Sequence, residues 1–452
     1  MAAFLAALLL FKGDIILKEK YIIKTYGCQM NEHDSEILKY DLEEMGYEPT
    51  EEVDEAKIII FNTCAIRKNA ENKVYGNLGW LKGNEKYDEK IICICGCMMQ
   101  SEEIRNEIIS KFKNVKIIFG TNNIDNFRSL LERHLSTGER IVEVLEKNEY
   151  TDKTFDAIRP FKYKSFVNIT YGCNNFCTYC IVPYTRGRET SRTVEDIVDE
   201  VKFLVQDGVK EIMLLGQNVN SFGKTLTPRR SFTELLVELN KIRDLKRIRF
   251  MTPHPRDITD DFLELYGKLD KLMPQLHLPI QSGSDKVLKD MNRHYDIEKY
   301  MYIVDKVKQT RPDISLSTDI IVGYPTETEE DFEKTLDIVK KVRYDSAFTF
   351  IFSPRPNTPA AKLKEIDDSI LKDRFNRLTD LMNSIQLENH EGTIGNRYEV
   401  LVESYNETEH TLEGRNPYGR LVVFEGDRED IGKIVEVEIE KINTFTSFGR
   451  MV

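Results

Sequence analysis

Residues Thr170–Arg192 read TYGCNNFCTYCIVPYTRGRETSR and place Cys173, Cys177 and Cys180 in a C-x3-C-x2-C run. The apolar segment Ser165–Thr170 reads as a strand that leads straight into this run, so the three thiols stand just past a strand's carboxyl end. A structural zinc site takes four ligands, often as two C-x2-C pairs. No fourth cysteine follows Cys180, and the next histidine downstream is His254. Three thiolates on one short loop can hold three irons of a [4Fe–4S] cluster and leave the fourth iron open to a substrate or cofactor. The competing reading is three packed core cysteines. The neighbours Tyr171, Gly172, Asn174, Asn175 and Thr178 have the composition of a loop.

Working outward from this loop, strand and helix patterns alternate. Strands are expected at Ser165–Thr170, Glu211–Leu215, Arg247–Met251, Gln275–Leu278, Ile314–Val322 and Ser346–Phe352. Helices are expected near Thr193–Asp207, Phe232–Ile242, Asp257–Leu269, Asp285–Met291, Ile297–Gln309 and Glu329–Val342. Six βα units fit a partial, six-stranded version of the (β/α)8 barrel, whose active sites gather at the carboxyl ends of the strands. Asp367–Asn389 closes this region as a helix with Leu371, Phe375, Leu378, Leu381 and Ile385 at helical spacing.

A second alternation precedes it. Apolar strands at Tyr21–Thr25, Lys57–Phe61, Ile91–Cys95 and Val115–Phe119 are separated by helices at Asp34–Met45, Lys68–Leu81 and Ser101–Phe112. Continuous apolar strands between helices point to a parallel sheet. Cys28, Cys64 and Cys97 each fall just past one strand, 36 and 33 residues apart (28 to 64, 64 to 97). In open α/β sheets, ligand sites gather outside the carboxyl ends of the strands. These three thiols could therefore meet as a second metal site, or be separate buried cysteines. Cys93 and Cys95 share one face of a strand and read as core. The polar stretch 135–158 reads as a connector.

The last 60 or so residues change character again. Short strands at Tyr398–Ser404, Thr411–Gly414, Leu421–Phe424 and Ile434–Ile439 alternate with turn residues, as in a small β-barrel. From Glu391 onward there are 7 Lys/Arg against 13 Asp/Glu.

The chain has 452 residues, 40% hydrophobic and 31% charged, with a formal charge of -12. This composition excludes collagen-like and broadly disordered classes and a nonspecific, uniformly basic nucleic-acid coat. No apolar run reaches the ~18 residues of a membrane-spanning helix. Met1–Phe11 (MAAFLAALLLF) lacks a basic start and a cleavage pattern, so an extension is expected there and not an export signal.

The motifs resemble those of the radical S-adenosylmethionine (SAM) methylthiotransferase family. Besides Thr170–Arg192, the resemblance rests on YGCQMN (Tyr26–Asn31), NTCAIR (Asn62–Arg67), GCMMQ (Gly96–Gln100) and FGTNN (Phe119–Asn123). It continues in order through TPHP (Thr252–Pro255), HLPIQSGSDKVLKDMNRHY (His277–Tyr295), TDIIVGYPTET (Thr318–Thr328) and FSPRPNTPAA (Phe352–Ala361). Tyr324 and Thr326 stand where the family usually has Phe and Gly. The resemblance implies three domains: an amino-terminal methylthiotransferase domain at 20–137, a TIM-like radical-SAM barrel at 159–389, and a TRAM-like RNA-binding barrel at 391–452.

It also implies roles. Cys173, Cys177 and Cys180 would be catalytic, holding the radical-SAM cluster, and Cys28, Cys64 and Cys97 would hold an auxiliary [4Fe–4S] cluster. Gln217, Asn218, Gln281, Ser282 and Asp319 would face SAM from strand ends, with the Gly323–Pro325 turn beside its adenine. The implied reaction adds a methylthio group to carbon 2 of N6-dimethylallyladenosine at position 37 of tRNA. That carbon is unactivated, so a cofactor radical must do the work, with sulfur from the auxiliary cluster and methyl from a second SAM. The implied partners are a tRNA anticodon stem-loop and an external electron donor such as flavodoxin or ferredoxin. The protein is expected to be a cytoplasmic monomer with no membrane partner.

Arg186, Arg188 and Arg192 read as a basic cluster for tRNA phosphates or the SAM carboxylate. In the acidic β domain, Arg397, Arg415, Arg420 and Lys441, with Tyr418 and Phe445, read as an RNA-facing stripe. His254 and His277 read as structural. The alternatives are the same chemistry on N6-threonylcarbamoyladenosine or on a ribosomal-protein aspartate, an iron–sulfur carrier that cleaves no SAM, and a zinc-holding RNA-binding protein.

Overall fold

A computed structural model of the chain describes residues 18–65, 68–146 and 157–452. Met1–Phe11 and residues 147–156 of the expected connector lie outside them. The described residues form two compact units. One runs to Leu145 and includes Ala157 and Ile158; the other holds Glu146 and Arg159–Val452.

The first unit is one sheet of β1 (Lys20–Tyr26), β2 (Glu48–Pro49), β3 (Ala56–Thr63), β4 (Ile91–Gly96), β5 (Val115–Phe119) and β6 (Ile141–Glu143). The order is β2-β1-β3-β4-β5-β6, and every pairing is parallel. The alternation within β3 and β4 shows why their sequences are apolar throughout. Ile59, Phe61, Ile92 and Ile94 pack against Val74, Leu78 and Ile108 on one face. Ile58, Ile60, Cys93 and Cys95 pack with Leu38, Leu42 and Leu130 on the other. A central parallel strand covered by helices on both sides has no polar face. Cys93 and Cys95 are therefore core residues, as expected. The short edge strand β6 lies inside the stretch read as a connector. Only Ile141 of its three residues is buried, too little for a periodic signal.

The second unit begins with β7 (Lys164–Asn168) and the antiparallel pair β8 (Thr170–Tyr171) and β9 (Thr190–Ser191). It continues through β10 (Glu211–Leu215), β11 (Arg247–Phe250), β12 (Gln275–His277), β13 (Ser315–Val322) and β14 (Ser346–Ile351). Two parallel three-stranded sheets, β11-β10-β7 and β12-β13-β14, are joined where Ile248 bridges to Leu272. The result is the expected open barrel of six main strands. One continuous apolar core, including Val167, Leu214, Ile248, Leu276, Leu316 and Ile320, joins these strands to their helices.

The helix Asp368–Glu391 leads to a closed barrel of β15 (Arg397–Asn406), β16 (Thr411–Arg415), β17 (Leu421–Glu425), β18 (Ile434–Ile442) and β19 (Thr446–Met451). β19 escaped the sequence reading because its one buried residue, Ser447, is small and polar.

This small barrel is docked on the amino-terminal ends of the core strands, the end away from the thiol loop. At β11, Arg247 donates to the carbonyls of Glu399 and Arg415, each at 2.9 Å. Arg249 donates to the carbonyls of Asn416 (2.8 Å) and Pro417 (3.0 Å). Glu211, at the start of β10, lies 3.0 Å from Arg249 and 3.7 Å from Arg247. Lys210 donates to the Gly432 carbonyl at 2.7 Å, and Lys164 pairs with Glu403 at 3.0 Å.

These contacts correct the expected RNA stripe. The Tyr418 hydroxyl donates to Asp313 at 2.6 Å, and partly buried Arg420 faces the carboxylate of Asp345, so both are spent on docking. Arg397 is paired with Glu438 at 3.0 Å, and Arg415 donates to the Gly419 carbonyl at 2.9 Å. Lys441 and Phe445 stay exposed. Arg397 and Arg415 stay exposed as well, so docking removes only Tyr418 and Arg420 from the stripe.

Replacing Arg249 with Met strips two barrel carbonyls of their donor and leaves Glu211 with one distant partner. We expect a loss of about 3 kcal/mol of unfolding free energy, as for one broken buried ion pair, in urea denaturation. A loss below ~1 kcal/mol, the scale of an exposed pair, would show that Arg249 does not hold the two parts together.

Candidate functional site

Glycines set the backbone of the thiol loop. Gly172 has φ +73, and a Cβ there would lie 2.3 Å from the Arg188 carbonyl oxygen. Glycine alone tolerates that turn and that approach, so the chain reverses out of β8 directly into Cys173. The β8–β9 pairing closes the base of the loop. Its interior is pinned by Thr178, whose N–H donates to the Met291 carbonyl (3.0 Å) and whose hydroxyl donates to that of Asp290 (2.8 Å). The Ala360 N–H donates to the Thr178 carbonyl at 2.9 Å.

The two departures from the family pattern belong to the same strap. The Tyr324 hydroxyl lies 2.9 Å from the Thr178 hydroxyl and donates to the Asp290 carbonyl at 3.0 Å. The Thr326 hydroxyl donates to the Asp290 carboxylate at 2.5 Å. The Gly323–Pro325 turn is thereby tied to the thiol loop.

Cys173 and Cys177 are buried, and Cys180 is half-buried. Burial pushes the Cys173 thiol up to about 11 and the Cys180 thiol to about 12. Without metal these sulfurs stay protonated at neutral pH, and loading iron must expel the protons. One cation stands against them. Arg293 is buried, with Nη1 3.5 Å from the Cys177 sulfur and from the Tyr179 hydroxyl, and Nη2 3.2 Å from the Pro279 carbonyl. Arg293 lies in the quoted MNRHY run, but nothing in that run says that its charge is buried against a thiol.

A polar shell surrounds the strand ends. The Asn218 amide donates to Asp257 at 2.8 Å, and Lys224 pairs with the same carboxylate at 2.7 Å. The Ser221 hydroxyl donates to Glu189 at 2.6 Å, and burial raises the pKa of Glu189. His254 accepts the Arg256 N–H at Nδ1 (3.2 Å). Burial, then the nearby Arg293 charge, lowers its pKa to about 2. The ring is therefore neutral with its proton on Nε2, as inferred from this hydrogen bond. That Nε2, the Thr170 hydroxyl and the Asn218 carbonyl oxygen are buried with no partner among the described residues. Buried polar atoms are almost always paired, so these three fit a polar ligand over the strand ends.

The remaining expected contacts separate. Gln281 takes φ +68 and carries the β12–β13 ladder onward, its N–H donating to the Asp319 carbonyl at 2.8 Å. Asp319 lies 3.5 Å from His277, whose other nitrogen meets Ser317 at 3.0 Å, so His277 is a paired core residue. Ser282 is fully buried and accepts the Ser284 N–H at 3.3 Å, which makes it part of the turn. Gln217 follows β10 half-buried. The expected arginine cluster breaks apart. Arg192 is buried in ion pairs with Asp196 and Glu200, and Arg186 is buried too. Arg188 alone reaches solvent. Charge on an i, i+2, i+6 run says nothing about which side chains a helix carboxylate will claim.

In the first unit, strand register aligns the other thiols. Tyr26 pairs with Thr63, and Thr63 with Gly96, so Cys28, Cys64 and Cys97 follow three adjacent strand ends. Gly96 has φ +95, and a Cβ would lie 2.3 Å from the Thr63 carbonyl oxygen. Asn31 links the set: its side-chain oxygen accepts from the Cys28 N–H (3.3 Å) and thiol (3.4 Å), and its amide donates to Asn62 (2.9 Å) and to the Thr63 carbonyl (3.3 Å). Among the described residues, no group of three His, Cys, Asp or Glu side chains is already gathered as a metal-binding set. The fit to a cluster rests on the positions of the three thiols and on Gly27 and Gly96 before Cys28 and Cys97.

A buried ion pair supports the turn at Gly323. Glu327 accepts the Gly323 N–H at 2.9 Å and pairs with Arg374 of the helix Asp368–Glu391 at 2.9 Å. Burial outweighs both partners and pushes its pKa from 4.5 up to about 7. The folded state then binds a proton that the unfolded chain has lost, so this group makes stability fall as pH rises between those two values. Glu327→Gln should flatten that fall in urea denaturation across pH 4.5–7. An unaltered slope would contradict the assignment.

Comparison with known proteins follows the same division. A family model described as the Radical SAM superfamily matches residues 167–339. One described as Uncharacterized protein family UPF0004 matches 20–120, and one described as the TRAM domain matches 392–452. The chain is 52% identical over 437 residues to the tRNA-2-methylthio-N(6)-dimethylallyladenosine synthase of Clostridium beijerinckii, covering 96% of each chain. It is 51% identical over 442 residues to the synthase of that name from Clostridium botulinum strain Okra, covering 97% of this chain and 98% of that one. It is 50% identical over 437 residues to that of Alkaliphilus oremlandii, covering 96% of this chain and 93% of that one. With half the residues shared along nearly the whole of both chains, the protein belongs to the tRNA-2-methylthio-N(6)-dimethylallyladenosine synthase family of radical SAM enzymes.

Proposed function

We propose that the protein attaches a methylthio group to carbon 2 of N6-dimethylallyladenosine in tRNA, using SAM and two [4Fe–4S] clusters. The single observation that carries this is near-full-length identity to synthases of that name, joined to two sets of three thiols at strand ends. Cys173, Cys177 and Cys180 are assigned to one cluster, and Cys28, Cys64 and Cys97 to the other. When bound, SAM and the clusters supply the radical, the sulfur and the methyl group.

The chain's own residues do the rest. The domains are assigned as 20–137, 159–389 and 391–452. Arg293 sets a fixed positive charge against the Cys177 sulfur, which favours the electron-rich form of a cluster held there. Asn218, Thr170 and His254 offer polar atoms over the strand ends, and Gln217, Gln281 and Asp319 complete the rim proposed for SAM, with Ser282 in the turn that follows Gln281. Neutral His254 donates from Nε2 and cannot act as an acid at neutral pH. Tyr324 and Thr326 hold the Gly323–Pro325 turn against the thiol loop, which fixes the distance between a ligand on the turn and the sulfurs. Both the TRAM match and the relatives' name support tRNA as substrate. A flavodoxin- or ferredoxin-like reductant, a monomeric state and a cytoplasmic site complete the reading. Among the described residues, no helix is long and apolar enough to cross a membrane.

The test is anaerobic incubation of the reconstituted protein with SAM, reductant and tRNA carrying N6-dimethylallyladenosine, followed by digestion and mass spectrometry. We expect a methylthio addition to that nucleoside, abolished by Cys177→Ala. Addition only to N6-threonylcarbamoyladenosine would overturn the substrate. Intact SAM in the presence of both clusters would overturn the enzyme reading.

A further inference from the structure

Three side chains beside the thiol loop serve no purpose described so far. Phe176 immediately precedes Cys177, and the Arg188 guanidinium carbon lies 4.3 Å from the centroid of its ring. Tyr184 meets the same ring edge-on, with centroids 6.1 Å apart and planes at 89°. Phe176 is half-buried, Arg188 exposed, and Tyr184 47% exposed. A tyrosine kept for packing would be covered. The backbone holds this group still. Phe176 takes the left-handed conformation at φ 47, which disfavours a side chain. The Asn292 amide fixes it there by donating to the carbonyls of Phe176 (3.0 Å) and Asn175 (3.3 Å). A strained conformation persists only where its surroundings enforce it.

An exposed aromatic beside a cation on a rigid loop is the chemistry that stacks an unpaired nucleobase, since every base has a π-face and its phosphate carries the opposite charge. The TRAM barrel is docked at the other end of the core strands, so it cannot supply this contact beside the thiols. Within this unit, a base contact beside the thiols therefore falls to the core.

We propose that Phe176, Tyr184 and Arg188 form a platform on which an RNA base adjacent to the target adenine stacks during methylthiolation. This rests on the substrate reading above.

The test uses the anaerobic holoenzyme and two hairpin RNAs with N6-dimethylallyladenosine at the target and 2-aminopurine immediately 5′ of it in one and 3′ in the other, the RNA that wild type quenches serving for the comparison. Wild type and Tyr184→Phe should quench the 2-aminopurine. Tyr184→Ala should abolish the quench and raise the KM for RNA roughly ten-fold, as for one lost base stack, with kcat nearly unchanged. Arg188→Gln should raise KM in the same direction, and Tyr302→Ala, an exposed tyrosine elsewhere on the core, should change neither. RNA-independent release of 5′-deoxyadenosine should be equal in all variants, which shows the thiol loop intact. Absence of wild-type turnover on either RNA would sink the substrate reading. Wild-type turnover with quench and KM both retained in Tyr184→Ala and Arg188→Gln would overturn the platform alone.

Discussion

Close backbone approach at the carboxyl ends of parallel strands is the constraint from which the rest of the molecule follows. A thiol can serve a shared centre only if its chain turns out of the sheet within a residue or two of its neighbour's chain. Where that turn needs a positive φ beside a neighbouring carbonyl, a side chain on the preceding residue would block it. Gly96 before Cys97 and Gly172 before Cys173 show this, each with positive φ and each within 2.3 Å of a carbonyl oxygen at its absent Cβ. The two units use different sheets and different numbers of strands, yet reach the same local solution. Sequence distance is irrelevant to it: one thiol set lies in a single loop, and the other comes from three strand ends aligned by register.

Around the thiol loop, polar straps add to an apolar cluster of Val287, Met291, Tyr324, Phe352 and Ala360, against which Tyr179 packs. Thr178, Tyr324, Thr326 and Asp290 form one such strap, and Asn292 holds the Phe176 turn. Arg293 is the costliest element. A fully buried cation is tolerated only with partners, and its partners here are a thiol, a carbonyl and two tyrosine hydroxyls. At the opposite end of the same strands, Arg247, Arg249 and Glu211 anchor the small barrel. The core thus spends one end of its strands on chemistry and the other on holding its third domain.

Much of this was legible in the sequence because it depends on local pattern. The apolar runs KIIIF and IICIC can only be strands covered on both faces, and C-x3-C-x2-C after a strand places the thiols without any long-range knowledge. Cys93 and Cys95 were separable from Cys97 because they lie within the apolar strand and Cys97 falls just past its end. The failures share one cause. Arg192 and Arg420 were read as surface because arginine is usually exposed, whereas Arg192 is claimed by Asp196 and Glu200 of the helix that follows it and Arg420 by Asp345. Tyr418 was read as an RNA contact, but its partner is Asp313, more than a hundred residues away. The short strands β6 and β19 gave no signal because each buries a single residue.

The most direct test of two independent thiol centres is iron and sulfide content in anaerobically reconstituted wild type and two triple variants. One replaces Cys28, Cys64 and Cys97 with Ala; the other replaces Cys173, Cys177 and Cys180. We expect each triple variant to lose about four irons and four sulfides relative to wild type, as for one [4Fe–4S] cluster, and to keep the rest. A triple variant that retains its full iron, or one that loses all of it, would contradict the assignment of one cluster to each set of thiols.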